Sequence, residues 1–380
     1  MSLIVPVGTF GRSNMHMSTR WLFCLILCLQ FDLFLPEDAS ASDLASVTTR
    51  PVPAGGHAVV AKTDAAGVIH LLYDAPGGPW YVNSSNDGVT FSQPVALVDE
   101  SSRKPGLEFI AWDMVPGADG TVHAVLGNNA WKLKLPQEEW GCFYTVLVPG
   151  QTTFSPLRNI NHKPSEGFSI AVREDGTVTV VWMADRLFAN VSRDNGRTFA
   201  TAVEIDPQLD PCNCCTTSSV YGADGRLAIL YREETNNDRD MYLALWDQQQ
   251  KKVTKTRVST SPWNIDSCPM TYFSVVRSGR GYTAAWPTKG QIFWATLDGS
   301  GQLQRPGEVS APGRNGMRTG VLALAAQDGS TLVAWKKDQQ LGWQAYDANG
   351  KPLGRPGTAN SPGNGAAGVI TAKGRVVLFR

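Results

Sequence analysis

The densest chemistry in this chain is sulfur. Asp210-Pro211-Cys212-Asn213-Cys214-Cys215 places three thiols within four residues, and Cys268 follows in Ser267-Cys268-Pro269-Met270. Thiols grouped this way serve as disulfide partners, as soft-metal ligands or as redox groups, because the deprotonated sulfur is both nucleophile and ligand. A bond between Cys214 and Cys215 is sterically awkward, since a trans peptide holds their Cα atoms about 3.8 Å apart, below the usual disulfide range. A disulfide from Cys268 to one of the three closes a loop of roughly 55 residues and is worth a few kcal/mol. Extended backbone points Cys212 and Cys214 one way and Cys215 the other, so a second disulfide needs Cys142. The alternative is a Cu or Zn site on Cys212, Cys214, Cys215 and Cys268, with Met270 as a further sulfur. No other cofactor is expected.

A second group is charged and phenolic. Arg232 and Glu233 follow Tyr231 at the end of an apolar run, while Tyr272 and Arg318 precede two others. A guanidinium fork matches a carboxylate bidentately, so arginines at converging strand ends suit an anionic ligand. The competing reading is that Arg232, Glu233, Asp238, Arg239 and Asp240 form ion pairs within one loop. His57, His70, His123 and His162 are scattered; His70 and His123 occupy equivalent positions in a repeat, which points to packing.

That repeat is what must position these groups. An alternating apolar phrase ending in a large residue recurs as GVIHLLY to Tyr73, GTVHAVL to Leu126, GTVTVVW to Trp182, GRLAILY to Tyr231, GYTAAW to Trp286, STLVAW to Trp335 and GRVVLF to Phe379. The end residues lie 53, 56, 49, 55, 49 and 44 apart. A second short strand precedes each phrase, with hairpin turns such as Asp119-Gly120, Asp175-Gly176, Asp224-Gly225 and Asp328-Gly329 between them. Two further short strands follow. Four strands per unit of roughly 45 to 55 residues predict an all-β fold, a β-propeller of six or seven four-stranded blades. The last hairpin ends at Arg380 with no room for outer strands, so a seventh blade requires a segment near Val47–Val52 to complete it. Trp182, Trp286 and Trp335 end inner strands and are expected to plug blades.

Two octapeptides carry a resemblance. Ser84-Ser85-Asn86-Asp87-Gly88-Val89-Thr90-Phe91 and Ser192-Arg193-Asp194-Asn195-Gly196-Arg197-Thr198-Phe199 both fit the Asp-box pattern Ser-x-Asp-x-Gly-x-Thr-aromatic, with Asn86 in place of Asp in the first. The pattern folds because the acidic or amide side chain bonds turn amides and the glycine takes a positive φ. Degenerate copies fall at Trp246-Asp247, Leu297-Asp298-Gly299 and Tyr346-Asp347. From about residue 55 to 380 the chain resembles the sialidase-like superfamily of Asp-box (BNR-repeat) propellers. The resemblance implies a central pocket for a carbohydrate or anionic small molecule. A sialidase-type glycoside hydrolase would add an arginine triad, a Tyr–Glu nucleophile pair and an Asp acid/base; the speculative candidates are Arg232, Glu233, Tyr272 and Arg318. Where that family carries an Arg-Ile-Pro motif this chain has Thr49-Arg50-Pro51-Val52.

The 380 residues carry 34 basic and 34 acidic side chains, so no cationic excess exists to drive nucleic-acid binding. Trp21–Leu35, after Arg12 and Arg20 and before Ala39-Ser40-Ala41, has the form of a signal peptide over residues 1–41, with Met17 an alternative start. The expected product is one domain over 42–380, exported to the periplasm or beyond and without a membrane span. Oligomeric state is not legible.

Overall fold

The computed structural model describes residues 43–279 and 281–380; the expected signal peptide lies outside them. The described chain forms a seven-bladed β-propeller. Six blades are four-stranded antiparallel sheets, and the seventh has three strands. The innermost strands are His57–Thr63, Phe109–Pro116, Glu166–Val172, Thr217–Tyr221, Ser274–Ser278, Val321–Ala325 and Ala367–Ile370. They touch in cyclic order, the seventh against the first.

The apolar phrases of the sequence are the second strands, one position out from the axis. There every side chain meets a neighbouring blade on one face or the other, so these strands read as continuous apolar runs. Val178–Met183 is buried along its whole length, whereas the outermost Lys252–Arg257 is largely exposed. Trp182, Trp286 and Trp335 are therefore wedged between blades rather than facing the axis. Apolar clusters fill each contact between consecutive blades. The one between the last blade and the first joins Val369, Val377 and Phe379 to Ile69, Leu71 and Tyr73.

Closure uses the segment singled out near Val47. Val47–Arg50 pairs in parallel with Val376–Phe379, in the register Val47↔Val376 to Arg50↔Phe379. Flanking bonds from Val52 N–H to Arg380 O and from Arg380 N–H to Arg50 O, each 2.9 Å, extend the seam.

Because consecutive strands alternate in direction, the innermost strands all enter from one side of the ring. The turns joining first to second and third to fourth strands collect on the other. Both octapeptides are third-to-fourth turns, and both make the same bonds. Gly88 N–H and Gly196 N–H donate to the hydroxyls of Ser84 and Ser192 at 3.0 and 2.9 Å. Thr90 N–H and Thr198 N–H donate to Asn86 Oδ1 and Asp194 Oδ1 at 2.9 Å. The Thr198 hydroxyl and amide, with the Ser192 hydroxyl, hold the Asp194 carboxyl down to about 2. Gly196 has φ +78°, and a Cβ there would collide with the Tyr144 oxygen. Each turn clasps the preceding blade. Phe91 packs on Phe379 and Phe199 on Tyr144, while Asp87 bonds Arg375 and Asn195 bonds Asp119, each at 2.7 Å.

The equivalent histidines also repeat one interaction. His70 Nδ1 lies 2.7 Å from the Tyr81 hydroxyl and His123 Nδ1 2.6 Å from that of Tyr144. Burial lowers both pKa values, that of His123 to about 4, against a weaker upward pull from Asp119. The unfolded chain therefore binds more protons than the folded one between pH 6.5 and about 4, and stability falls as pH drops through that window. The expected loss through His123 is roughly 3 kcal/mol at most. Urea denaturation at pH 7, 5.5 and 4.5 checks this: His123→Gln flattens the profile, and an unchanged slope would contradict the assignment.

Candidate functional site

The innermost strands surround a cavity of about 700 Å³. Its wall carries both aromatic and charged side chains. The first three innermost strands each bear a bulge, at Ala58/Val60, Ala111/Asp113 and Glu166/Ser169. A bulge leaves one residue without a ladder partner and re-aims its side chain. In the second blade that residue is Trp112, which lines the cavity edge-on to Phe168, with ring centroids 5.3 Å apart. Its other ring neighbour is Tyr272, at 6.3 Å, from the segment entering the fifth blade.

Arg318, entering the sixth blade, completes this side of the cavity. Its backbone is left-handed at φ +56°, its N–H donates to Met270 O at 2.9 Å, and its Nε donates to Met270 Sδ at 3.1 Å. The side chain is exposed, and no carboxylate among the described residues lies within ion-pair distance of it. Burial raises the Tyr272 phenol, with the Arg318 charge pulling the other way and Glu166 adding to the rise. Crowding also raises the Glu166 carboxyl, again opposed by Arg318. Arg318, Tyr272 and Glu166 thus share one electrostatic neighbourhood. Deeper in the wall, Asp113 accepts the Ile170 and Met114 N–H groups at 3.1 and 2.8 Å. Burial pushes its carboxyl up, and the positive charge of Lys62 counters this.

Of the four pocket candidates, the structure brings Tyr272 and Arg318 to the cavity and places Arg232 and Glu233 elsewhere. Arg232 is fully buried behind the wall, donating to Arg239 O, Pro287 O and Thr271 Oγ1, with its guanidinium 4.8 Å from the Trp263 ring. Glu233 accepts from the Tyr231 hydroxyl and from Lys255, both at 2.6 Å. Asp240 pairs with Arg257 at 2.8 Å, so this stretch is held largely by local ion pairs. Trp112, Glu166, Asp113 and Lys62 were not singled out by the sequence reasoning. The one signal for Trp112 is the break in apolar alternation at Ala111-Trp112-Asp113.

The four clustered cysteines do meet. Cys214 and Cys268 form a disulfide between the segments entering the fourth and fifth blades. The expectation that Cys215 points away from Cys212 is corrected. A turn closed by Cys215 N–H to Cys212 O at 3.1 Å replaces extended backbone and brings their sulfurs to 3.3 Å. Cys142 sits apart in the core between the second and third blades. The sulfurs of Cys212, Cys214 and Cys268 lie within 4.8 Å of one another, a grouping that could hold a soft ion. Thiolates bind such ions, and two of these three sulfurs are bonded to each other.

No protein-family model matches the chain, and no curated protein matches it. Solved structures do. An ulvan lyase, a polysaccharide lyase bound to -[GlcA(1-4)Rha3S]-, aligns at 12% identity with a TM-score of 0.52, over 83% of this chain and 88% of its own. A protein of unknown function from Dyadobacter fermentans gives 12% and 0.52 over 82% and 96%. The Dos1 propeller gives 12% and 0.50 over 84% and 76%. At such identity the likeness is one of fold.

Titration under denaturing conditions without reductant is expected to find three free thiols among the five cysteines beyond residue 43. Finding only one would show that Cys212 and Cys215 are bonded as well.

Proposed function

We propose that this chain is an exported, sialidase-like Asp-box propeller that binds an acidic carbohydrate in its central cavity. The observation that carries the reading is Arg318, a guanidinium with no carboxylate among the described residues at ion-pair distance, set beside the aromatic pair Trp112 and Tyr272 at a cavity large enough for one or two sugar rings. The parts match the chemistry of a sugar acid. The guanidinium takes the carboxylate in a charge-assisted pair, and the aromatic faces cover the apolar C–H face of the ring. The Tyr272 hydroxyl and Asn364 supply hydrogen-bonding groups for sugar hydroxyls. The two Asp-box turns support the sialidase-like assignment. They lie on the opposite side of the ring from the strand entries and serve the fold. The ulvan lyase with its bound acidic disaccharide is a propeller of the same fold, and its ligand is of the class proposed here.

The reading is one of binding. Among the described residues Arg318 is the one arginine that lines the cavity, so a three-arginine clamp on the substrate carboxylate does not arise.

Calorimetry with a uronic-acid disaccharide, sialyllactose and their neutral counterparts tests the proposal. Acidic sugars should bind, and Arg318→Ala and Trp112→Ala should each weaken binding at least tenfold, about 1.4 kcal/mol. Equal affinity for neutral sugars, or indifference to Arg318→Ala, would sink it.

A further inference from the structure

The cavity reading leaves unused a row of four sulfurs behind the wall. Cys215 Sγ lies 3.3 Å from Cys212 Sγ, and Cys212 Sγ lies 3.5 Å from Cys214 Sγ, which is bonded to Cys268. A free dithiol of spacing Cys-x-x-Cys therefore touches a disulfide. Cys212 and Cys215 are buried, whereas Cys214 and Cys268 are partly open.

The charges around the dithiol favour a thiolate. Arg239 Nη1 donates to Cys212 Sγ at 2.9 Å. Arg232 is wholly buried, its Nη1 and Nη2 donate to two carbonyls and a hydroxyl, and no carboxylate among the described residues pairs with it. A buried cation is costly, and the Cys212/Cys215 pair, with Asp240 beyond it, offsets that burial. The two sulfurs hydrogen-bond each other at 3.3 Å. That bond and the Arg232 charge ease loss of the Cys215 proton, while the same bond, burial and the charge on Cys215 hold the proton on Cys212.

We propose that the Cys212/Cys215 dithiol exchanges with the Cys214–Cys268 disulfide, so that the cluster is a redox-active site with two bonded forms. In the first step Cys212 passes its proton to the neighbouring Cys215 sulfur and, as the thiolate, attacks Cys214 Sγ, forming Cys212–Cys214 and expelling the Cys268 thiolate. In the second the Cys215 thiolate attacks Cys212 Sγ, forming Cys212–Cys215 and expelling the Cys214 thiolate. One disulfide and two thiols enter and leave, protons pass from the first pair to the second, and no outside oxidant or reductant is consumed. The product replaces a bond between blades by a local one and leaves the two partly open sulfurs as the free thiols.

The exchange acts on the cavity wall. Cys268 is two residues from Met270, which holds Arg318, and four from Tyr272. Release of Cys268 loosens the segment that carries both. That consequence for ligand binding rests on the function proposed above; the exchange itself does not.

The test is thiol mapping on the full chain. Protein at pH 8 without reductant is sampled over time, quenched in acid, alkylated after denaturation and digested. The expected result is a second population with alkylated Cys214 and Cys268 and a Cys212–Cys215 bond. Cys212→Ser should lose it while keeping Cys214–Cys268. Hydrogen exchange over 268–273 should quicken in the wild type and not in that variant. Wild-type protein in which Cys268 never becomes alkylated, or in which both disulfides are present together, would overturn the proposal even if the variant fails to fold. The expected second disulfide population in a protein that binds none of the acidic sugars would count against the cavity reading alone.

Discussion

Everything in this molecule depends on closing the ring. A blade is a small sheet with two apolar faces, and neither can be buried by the blade itself. Each is covered only by the next blade, so an open arc would leave two faces in water. The parallel seam between Val47–Arg50 and Val376–Phe379 ties the first described strand to the last. The apolar cluster of Tyr73, Val377 and Phe379 then buries the faces that meet there. The two octapeptide turns reinforce this by clasping the preceding blade through an aromatic and a polar contact. The central cavity is what seven innermost strands leave when they meet in a circle, and bulges in three of them turn selected side chains toward it.

A second constraint is the management of charge behind that wall. Arg232 bonds carbonyls and one hydroxyl and lies against an indole ring, and no carboxylate among the described residues pairs with it. The sulfurs of Cys212 and Cys215 lie beside it, which sets a buried arginine against the dithiol proposed to exchange. The same loops carry Thr271, Tyr272 and Met270, so cavity wall and sulfur cluster are one mechanical unit.

Much of the fold was legible in the sequence because two independent periodicities agree. Alternation with period two marks the strands, and Asp-Gly turns about one blade apart mark the hairpins. The blade number stayed open because the closing blade borrows a strand more than 300 residues away in sequence. The cysteine cluster was legible because equivalent loops of adjacent blades are neighbours in space. Its internal geometry was not, since a tight turn at Cys212 reverses the facing that extended backbone gives Cys215. Tyr272 and Arg318 reach the cavity because they directly precede innermost strands. Arg232 ends a second strand, one layer further out, and is covered by Trp263. Trp112 escaped notice because a bulge, which carries no fixed sequence signal, decides where it points.

The most direct test of the central claim is a crystal structure of the protein soaked with a uronic-acid disaccharide. The account predicts a sugar in the cavity, its carboxylate on Arg318 and a ring against Trp112 or Tyr272. A cavity holding only water, with the sugar bound elsewhere such as the exposed Trp131, would contradict it.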